Sequence, residues 1–130
     1  MIVLDASSAV AVLLNIDASG VRDRMDRAEE GIHVPHLFEI EVINVLRRYA
    51  LNGAISAKRA HLALNRLSDM RLTRYPHTAL LPRVWELKDN VTAYDAVYVA
   101  LAETLEAPLI TRDERLSRAP GIRAVVELYR

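Results

Sequence analysis

A chain of 130 residues, 52% hydrophobic and 26% charged, is sized and composed for one compact domain spanning residues 1–130. The absence of cysteine excludes disulfides, thiolate catalysis and cysteine-bound zinc or iron–sulfur centres, and a net charge of zero argues against a uniformly basic nucleic-acid binder. No apolar run approaches the roughly 18 residues that span a bilayer, and the opening MIVLDASSAV carries an aspartate where a signal peptide needs an apolar stretch, so a soluble, cytoplasmic protein with no membrane partner is expected.

Met1–Leu4 is an apolar run ending at Asp5, the pattern of a buried strand. Ala6–Leu14 follows as an alanine- and leucine-rich helix with Asp5 placed to cap it. Val21–Glu30 reads as a charged, solvent-facing helix broken by Gly31, and Ile32–Val34 as a second strand. Pro35 opens a long helix from about His36 to Leu51, stopped by Asn52 and Gly53. Ser56 caps a helix running to about Met70, Arg71–Arg74 is a third strand, and Pro76 starts a helix carrying Trp85. Thr92–Glu106 is a further helix, Pro108–Thr111 a fourth strand and Arg123–Val126 a fifth. Apolar strands alternating with helices predict a three-layer α/β/α sandwich around a mostly parallel sheet of about five strands. Ligands of such sheets bind beyond the carboxyl ends of the strands, where the strand order reverses.

Four acids are directed to that edge. Asp5 follows its strand directly, and Asp113 stands two residues past the end of Pro108–Thr111. Asp95 lies in the first turn of a very apolar helix. Glu41 sits among Ile40, Val42, Ile43, Val45 and Leu46, with Asn44 and Arg48 on its own helical face and Glu39 on roughly the opposite one. Each aspartate also has a structural role open to it, as a helix cap or as part of a capping box between Asp95 and Thr92. Glu41 has no such excuse, because acids are rarely buried unpaired. Four acids at one edge repel one another and hold their protons more tightly unless a cation intervenes. Oxygen ligands without histidine or cysteine select Mg²⁺ or Mn²⁺, and phosphodiester hydrolysis is the natural chemistry of such a centre.

The stretches IVLDASSAV, VPHLFEIEVINVLRR, TAYDAVYVALAE and APLITRDERL together resemble the four acidic motifs of PIN-domain nucleases, and most closely those of VapC-type toxins of type II toxin–antitoxin pairs. The resemblance covers the whole chain. It implies metal binding by Asp5 and Asp95, with Glu41 and Asp113 completing a catalytic cluster, and Ser7, Asn44 and Thr111 orienting those acids. It further implies a homodimer, an RNA substrate, an endoribonuclease using Mg²⁺ or Mn²⁺, and a cognate antitoxin that blocks the site. A metal-activated water would attack the phosphodiester in line, leaving 5′-phosphate and 3′-hydroxyl ends.

Charge is unevenly distributed. From Arg47 to Arg74 there are seven basic residues against one acid, and from Glu86 to Glu114 seven acids against two bases. The first region suits a polyanion, though solvated helix faces give the same pattern. Arg47, Arg48, Arg112 and Arg115 flank the Glu41 helix and the Asp113 turn and are the candidates for RNA contact. His33 and His36 straddle a strand–helix boundary and do not read as a metal pair. Trp85 and Tyr98 are expected in the core or at a subunit interface rather than stacked on bases. A phosphoryl-accepting receiver domain would need paired acids after the first strand and a lysine after the last, and neither is present. The four glycines form no phosphate-cradling loop, which sets aside a nucleotide-binding enzyme. A catalytically idle PIN scaffold that only binds RNA or a protein is the stronger rival.

Overall fold

Ile2–Leu4 forms strand β1 with no solvent exposure at any of its three side chains, because it is the middle strand of a five-stranded sheet. The computed structural model describes residues 1–130. Along the chain, β1 leads to α1 (Ala6–Leu14), α2 (Ser19–Asp26), β2 (Ile32–Pro35), α3 (Phe38–Leu51), α4 (Ala57–Asp69) and β3 (Leu72–Tyr75). A 3₁₀ turn at Thr78–Leu80 precedes α5 (Leu81–Glu86), α6 (Ala93–Leu105), β4 (Leu109–Thr111), α7 (Glu114–Arg118) and β5 (Val126–Leu128). The strand order is β3-β2-β1-β4-β5, and every neighbouring pair is parallel. The order therefore reverses between β1 and β4, whose carboxyl ends carry Asp5 and Thr111–Asp113.

Helices cover both faces of the sheet, as the three-layer reading expects. Helices α1, α3 and α4 pack on one another with α2 against α1, while α6 crosses β1, β2 and β4 with α5 beside it. Seven consecutive residues of α6, Ala96–Ala102, are buried. A helix apolar on all sides must lie inside, and its alanines let it approach the sheet closely. One hydrophobic cluster runs through β1, α1, α3, α6 and β4. Each fully buried large side chain in it, Phe38 or Leu101 for example, contributes roughly 1.5–3 kcal/mol. No helix is long and apolar enough to cross a membrane.

Several boundaries differ from the sequence-based reading. Helix α2 spans Ser19–Asp26 rather than Val21–Glu30; Val21 is its one buried residue, so packing does not carry the helix further. Pro35 ends β2 instead of opening α3, which starts at Phe38. Pro76 does not start a continuous helix, because the chain makes its 3₁₀ turn first and α5 takes Pro82 in its first turn. Strand β5 lies at Val126–Leu128, beyond the expected Arg123–Val126. Its register is set by the pairs Leu109↔Val126 and Thr111↔Leu128, while the Arg123 N–H is drawn away to Glu103 at 3.3 Å.

Candidate active site

Asp5 is the most firmly held of the four acids. Its N–H continues the sheet by donating to the Ile110 carbonyl at 3.2 Å, which fixes the backbone at the reversal point. The extended backbone there turns the carboxylate onto the start of α1 as its N-cap. Oδ1 accepts the Ser8 N–H at 2.9 Å and the Ser7 hydroxyl at 2.8 Å, and Oδ2 accepts the Thr111 hydroxyl. The residue is only 6% exposed. Burial raises its pKa above the ordinary value, and the hydrogen bonds from Thr111, Ser8 and Ser7 offset part of that rise. The cap and the functional reading are thus compatible in one side chain.

Glu41 rises from the first turn of α3 toward Asp5 and Asp95. Its Oε1 is shut off from solvent and forms no well-directed hydrogen bond, and the buried Tyr98 hydroxyl beside it is likewise without one. Burial raises the Glu41 pKa, the neighbouring Tyr98 hydroxyl lowers it, and the charges of Asp95 and Asp5 raise it again. Tyr98 is pushed up as well, by burial first and Glu41 second. A buried carboxylate oxygen without a well-formed hydrogen bond is costly by about 1–3 kcal/mol, and this one keeps the capacity to take a ligand. Glu39 faces away, in a bidentate pair with Arg74 at 2.7 and 3.1 Å.

Asp95 enters from α6, where its N–H bonds the Thr92 hydroxyl at 3.2 Å. Its pKa is raised by partial burial, then by the charges of Asp113 and Asp5, with Thr92 and Arg115 pulling the other way. Asp113 caps α7 through Oδ1, which accepts the N–H groups of Arg115 at 2.9 Å and Leu116 at 3.4 Å. All four acids line one cleft of about 390 Å³.

The cleft also sorts the remaining candidates. From α3 it takes Glu41, Val45, Arg48 and Tyr49, the one face that helical spacing allows. Asn44 and Arg47 turn instead into an adjoining groove with Ile40 and Tyr94, and Asn44 is exposed with no side-chain hydrogen bond to an acid. Ser7 lies on the cleft floor and also accepts the Arg112 N–H at 3.3 Å. The Arg112 guanidinium is tied to the carbonyls of Ile16 at 3.0 Å and Asp17 at 2.9 Å, so it braces the loop after α1. Arg115 borders a second cleft beside Asp95 and Asp113. In the basic stretch, Arg59 and Arg66 donate to the Leu14 and Leu13 carbonyls at the end of α1 and Arg74 pairs with Glu39, so part of that charge is structural.

Tyr98 and Trp85 were expected in the core or at a subunit interface; Tyr98 is buried as expected but also lines the cleft, which sequence reasoning missed. Asp95 and Tyr98 are three apart on one helix, a spacing that places both on one face. Trp85 is 69% exposed, which removes the core half of its expectation and leaves the subunit-interface half open, and Lys88 Nζ lies 5.0 Å above its ring. His33 is buried between Tyr75 Oη at 2.7 Å and the Glu30 carbonyl at 2.8 Å, which leaves it no capacity as a ligand.

No three His, Asp or Glu side chains already stand as a ligand set. The donors nevertheless suit a hard cation. Glu41 offers an orphaned oxygen, and Asp5, Glu41 and Asp95 all hold protons more tightly than isolated carboxylates. Magnesium commonly takes one or two carboxylates directly and fills its shell with water, an arrangement that needs no preformed set of three.

The chain as a whole is similar to known proteins. Residues 2–122 match the family described as PIN domain. The chain is 42% identical over 129 residues to Ribonuclease VapC1 of Mycobacterium tuberculosis, covering 98% of this chain and 97% of that one. It is 45% identical over 117 residues to VapC ribonuclease Mb0985 of Mycobacterium bovis, covering 90% and 89%. Among solved structures, PAE2754 from Pyrobaculum aerophilum aligns with a TM-score of 0.67 at 25% identity over 95% of this chain and 81% of that one. VapBC2 from Rickettsia felis, solved bound to a DNA fragment from its promoter, aligns with a TM-score of 0.73 at 15% identity over the whole of both chains. The chain belongs to the PIN-domain family, with VapC ribonucleases as its relatives.

Proposed function

We propose that this chain is an endoribonuclease, the toxin of a VapBC-type pair, whose acidic cleft hydrolyses RNA phosphodiester bonds with Mg²⁺ or Mn²⁺. The observation that carries this reading is the gathering of Asp5, Glu41, Asp95 and Asp113 around one cleft. The relatives named as VapC ribonucleases supply the substrate class.

Asp5 and Asp95 would hold the cation, with Glu41 and Asp113 completing its surroundings. When bound, the ion supplies a water of lowered pKa and neutralises charge on the phosphate. Ser7 and Thr111 keep the Asp5 carboxylate oriented, whereas Asn44 bonds no acid and its orienting role rests on the family resemblance alone. Glu41, whose proton affinity is raised, is suited to take or orient the proton of the attacking water; Asp113, with Oδ1 committed to α7, is the alternative. Arg48 faces the cleft and is the first of the arginines to consider for phosphate, followed by Arg115, Arg47 and Arg112. An antitoxin partner is supported by similar structures described as toxin–antitoxin complexes, such as that from Klebsiella pneumoniae. Homodimerisation and a cytoplasmic location belong to the same proposal.

The test incubates the purified chain, free of partner, with cellular RNA in Mg²⁺ or Mn²⁺, beside EDTA and Asp95→Asn. Discrete cleavage requiring both metal and Asp95 supports the reading. A folded protein that binds RNA but cleaves it under neither metal would favour an idle scaffold.

A further inference from the structure

Asp95 and Asp113 line two clefts. On one side is the acidic cleft with Arg48; on the other is a second, mostly polar cleft of about 390 Å³, completed by Lys88, Asp89, Asn90, Thr92 and Arg115. The two carboxylates therefore form a saddle between the clefts. An enzyme that cuts inside an RNA chain must accommodate strand on both sides of the broken bond, and a saddle with a recess on each flank meets that requirement.

The second cleft carries the chemistry of a nucleotide seat. The side chains of Lys88 and Arg115 make no ion pair or hydrogen bond within the protein, whereas nearby Arg118 and Arg130 are both paired with Glu114. Arg115 has no side-chain partner and Lys88 has only the Trp85 ring, so both cations beside the two acids are free to meet a phosphate. Asp89 and Asn90 present a carboxylate and an amide, which suit the edge of a base and not a phosphate. Trp85 lies just outside, 69% exposed, and reaches the cleft through Lys88, which sits over its ring. An indole this exposed offers the stacking face that single-stranded nucleic acid uses.

We propose that this second cleft seats a nucleotide flanking the scissile phosphate of a single-stranded RNA, with its phosphate at Lys88 and Arg115 and its base against Trp85. The proposal rests on the endoribonuclease reading.

Trp85 is the chain's one tryptophan, so its emission reports this site alone. A short single-stranded RNA of mixed sequence is titrated into the full chain in EDTA, fluorescein-labelled for anisotropy and unlabelled, in a parallel titration, for Trp85 emission. Saturable quenching in step with anisotropy is expected. Trp85→Leu should weaken binding on the order of tenfold. Lys88→Ala and Arg115→Ala should each take about 0.7 from the slope of log affinity against log salt. RNA binding with unchanged emission and wild-type affinity in all three variants overturns the proposal while leaving the nuclease reading to its own cleavage test. Emission that changes with protein concentration alone makes this face a subunit contact and overturns it too. Absence of RNA binding overturns it outright, and joined to absence of metal-dependent cleavage it removes the nuclease reading as well.

Discussion

Thr111 donates its hydroxyl proton to Asp5 Oδ2 while the same oxygen accepts the Asp113 N–H at 3.0 Å. One buried side chain at the end of β4 thus ties the acid of β1 to the acid that caps α7, across the point where the strand order reverses. Thr111→Val keeps the shape but removes both bonds, and the loss of a hydrogen bond to a buried charge costs about 1.5–3 kcal/mol. Urea denaturation should show a loss of that order, together with weakened Mn²⁺ binding. Thr111→Ser should restore most of both. Equal loss in the two variants would mean that the methyl packing, and not the hydroxyl, matters.

Metal and stability should move in opposite directions at Asp95. Its charge is opposed by partial burial and by Asp113 and Asp5, so Asp95→Asn relieves repulsion in the metal-free protein and should raise its melting temperature by a few degrees, as expected of roughly 1 kcal/mol in a domain of this size. Millimolar Mn²⁺ is expected to stabilise wild type and not this variant, since binding to the folded state alone is what raises Tm. Differential scanning fluorimetry with and without Mn²⁺ reads both effects.

The pH dependence of the metal-free protein follows from the same groups. Asp5, Glu41 and Asp95 have raised pKa values, so the fold binds their protons more tightly than the unfolded chain does. Stability therefore falls as pH rises from the ordinary values of 3.8 and 4.5 through the raised ones, and returns as pH drops back. Glu39 and Glu127, lowered by Arg74 and Arg24, act oppositely: their contribution is present above 4.5 and is lost as pH falls through the lowered values. In EDTA, stability should rise as pH is lowered from neutrality toward the carboxylate range. The double variant Glu41→Gln/Asp95→Asn should flatten that rise, and Mn²⁺, which competes with the protons, should reduce it in wild type.

The arginines should separate by function. Arg48 faces the acidic cleft and has no partner within the protein, so Arg48→Ala should raise KM for RNA and lessen its salt dependence with little change in Tm. Arg112 holds the Ile16 and Asp17 carbonyls, and Asp17 sits at a positive φ of 45°. Arg112→Ala should instead cost about 1 kcal/mol and open residues 15–18 to limited proteolysis. Matching kinetic and stability effects in the two variants would refute this division.

Much of the fold was legible because the strands are short, apolar and placed between helices with strong start signals. Asp5, Ser56 and Thr92 cap their helices as read. The misplaced elements are those where tertiary partners decide. Strand β5 could slide along Arg123–Leu128 until pairing with β4 fixed it, and α2 ends where burial ends. Asp5, Glu41, Asp95 and Asp113 were legible through their motifs, and the structure brings them to one cleft. The orphaned Glu41 oxygen, the engagement of Arg112 with the loop and the exposure of Trp85 were not, because each depends on which way a side chain turns once neighbours are in place.

The most direct test of the central claim is the chemistry of the cut ends. RNA cleaved by wild type in Mn²⁺ is examined for its termini, with Asp5→Asn as control. If water activated at the acids is the nucleophile, the cut RNA carries 5′-phosphate and 3′-hydroxyl ends, absent with Asp5→Asn or EDTA. Ends bearing a 2′,3′-cyclic phosphate, formed without metal and surviving loss of Asp5, would contradict it.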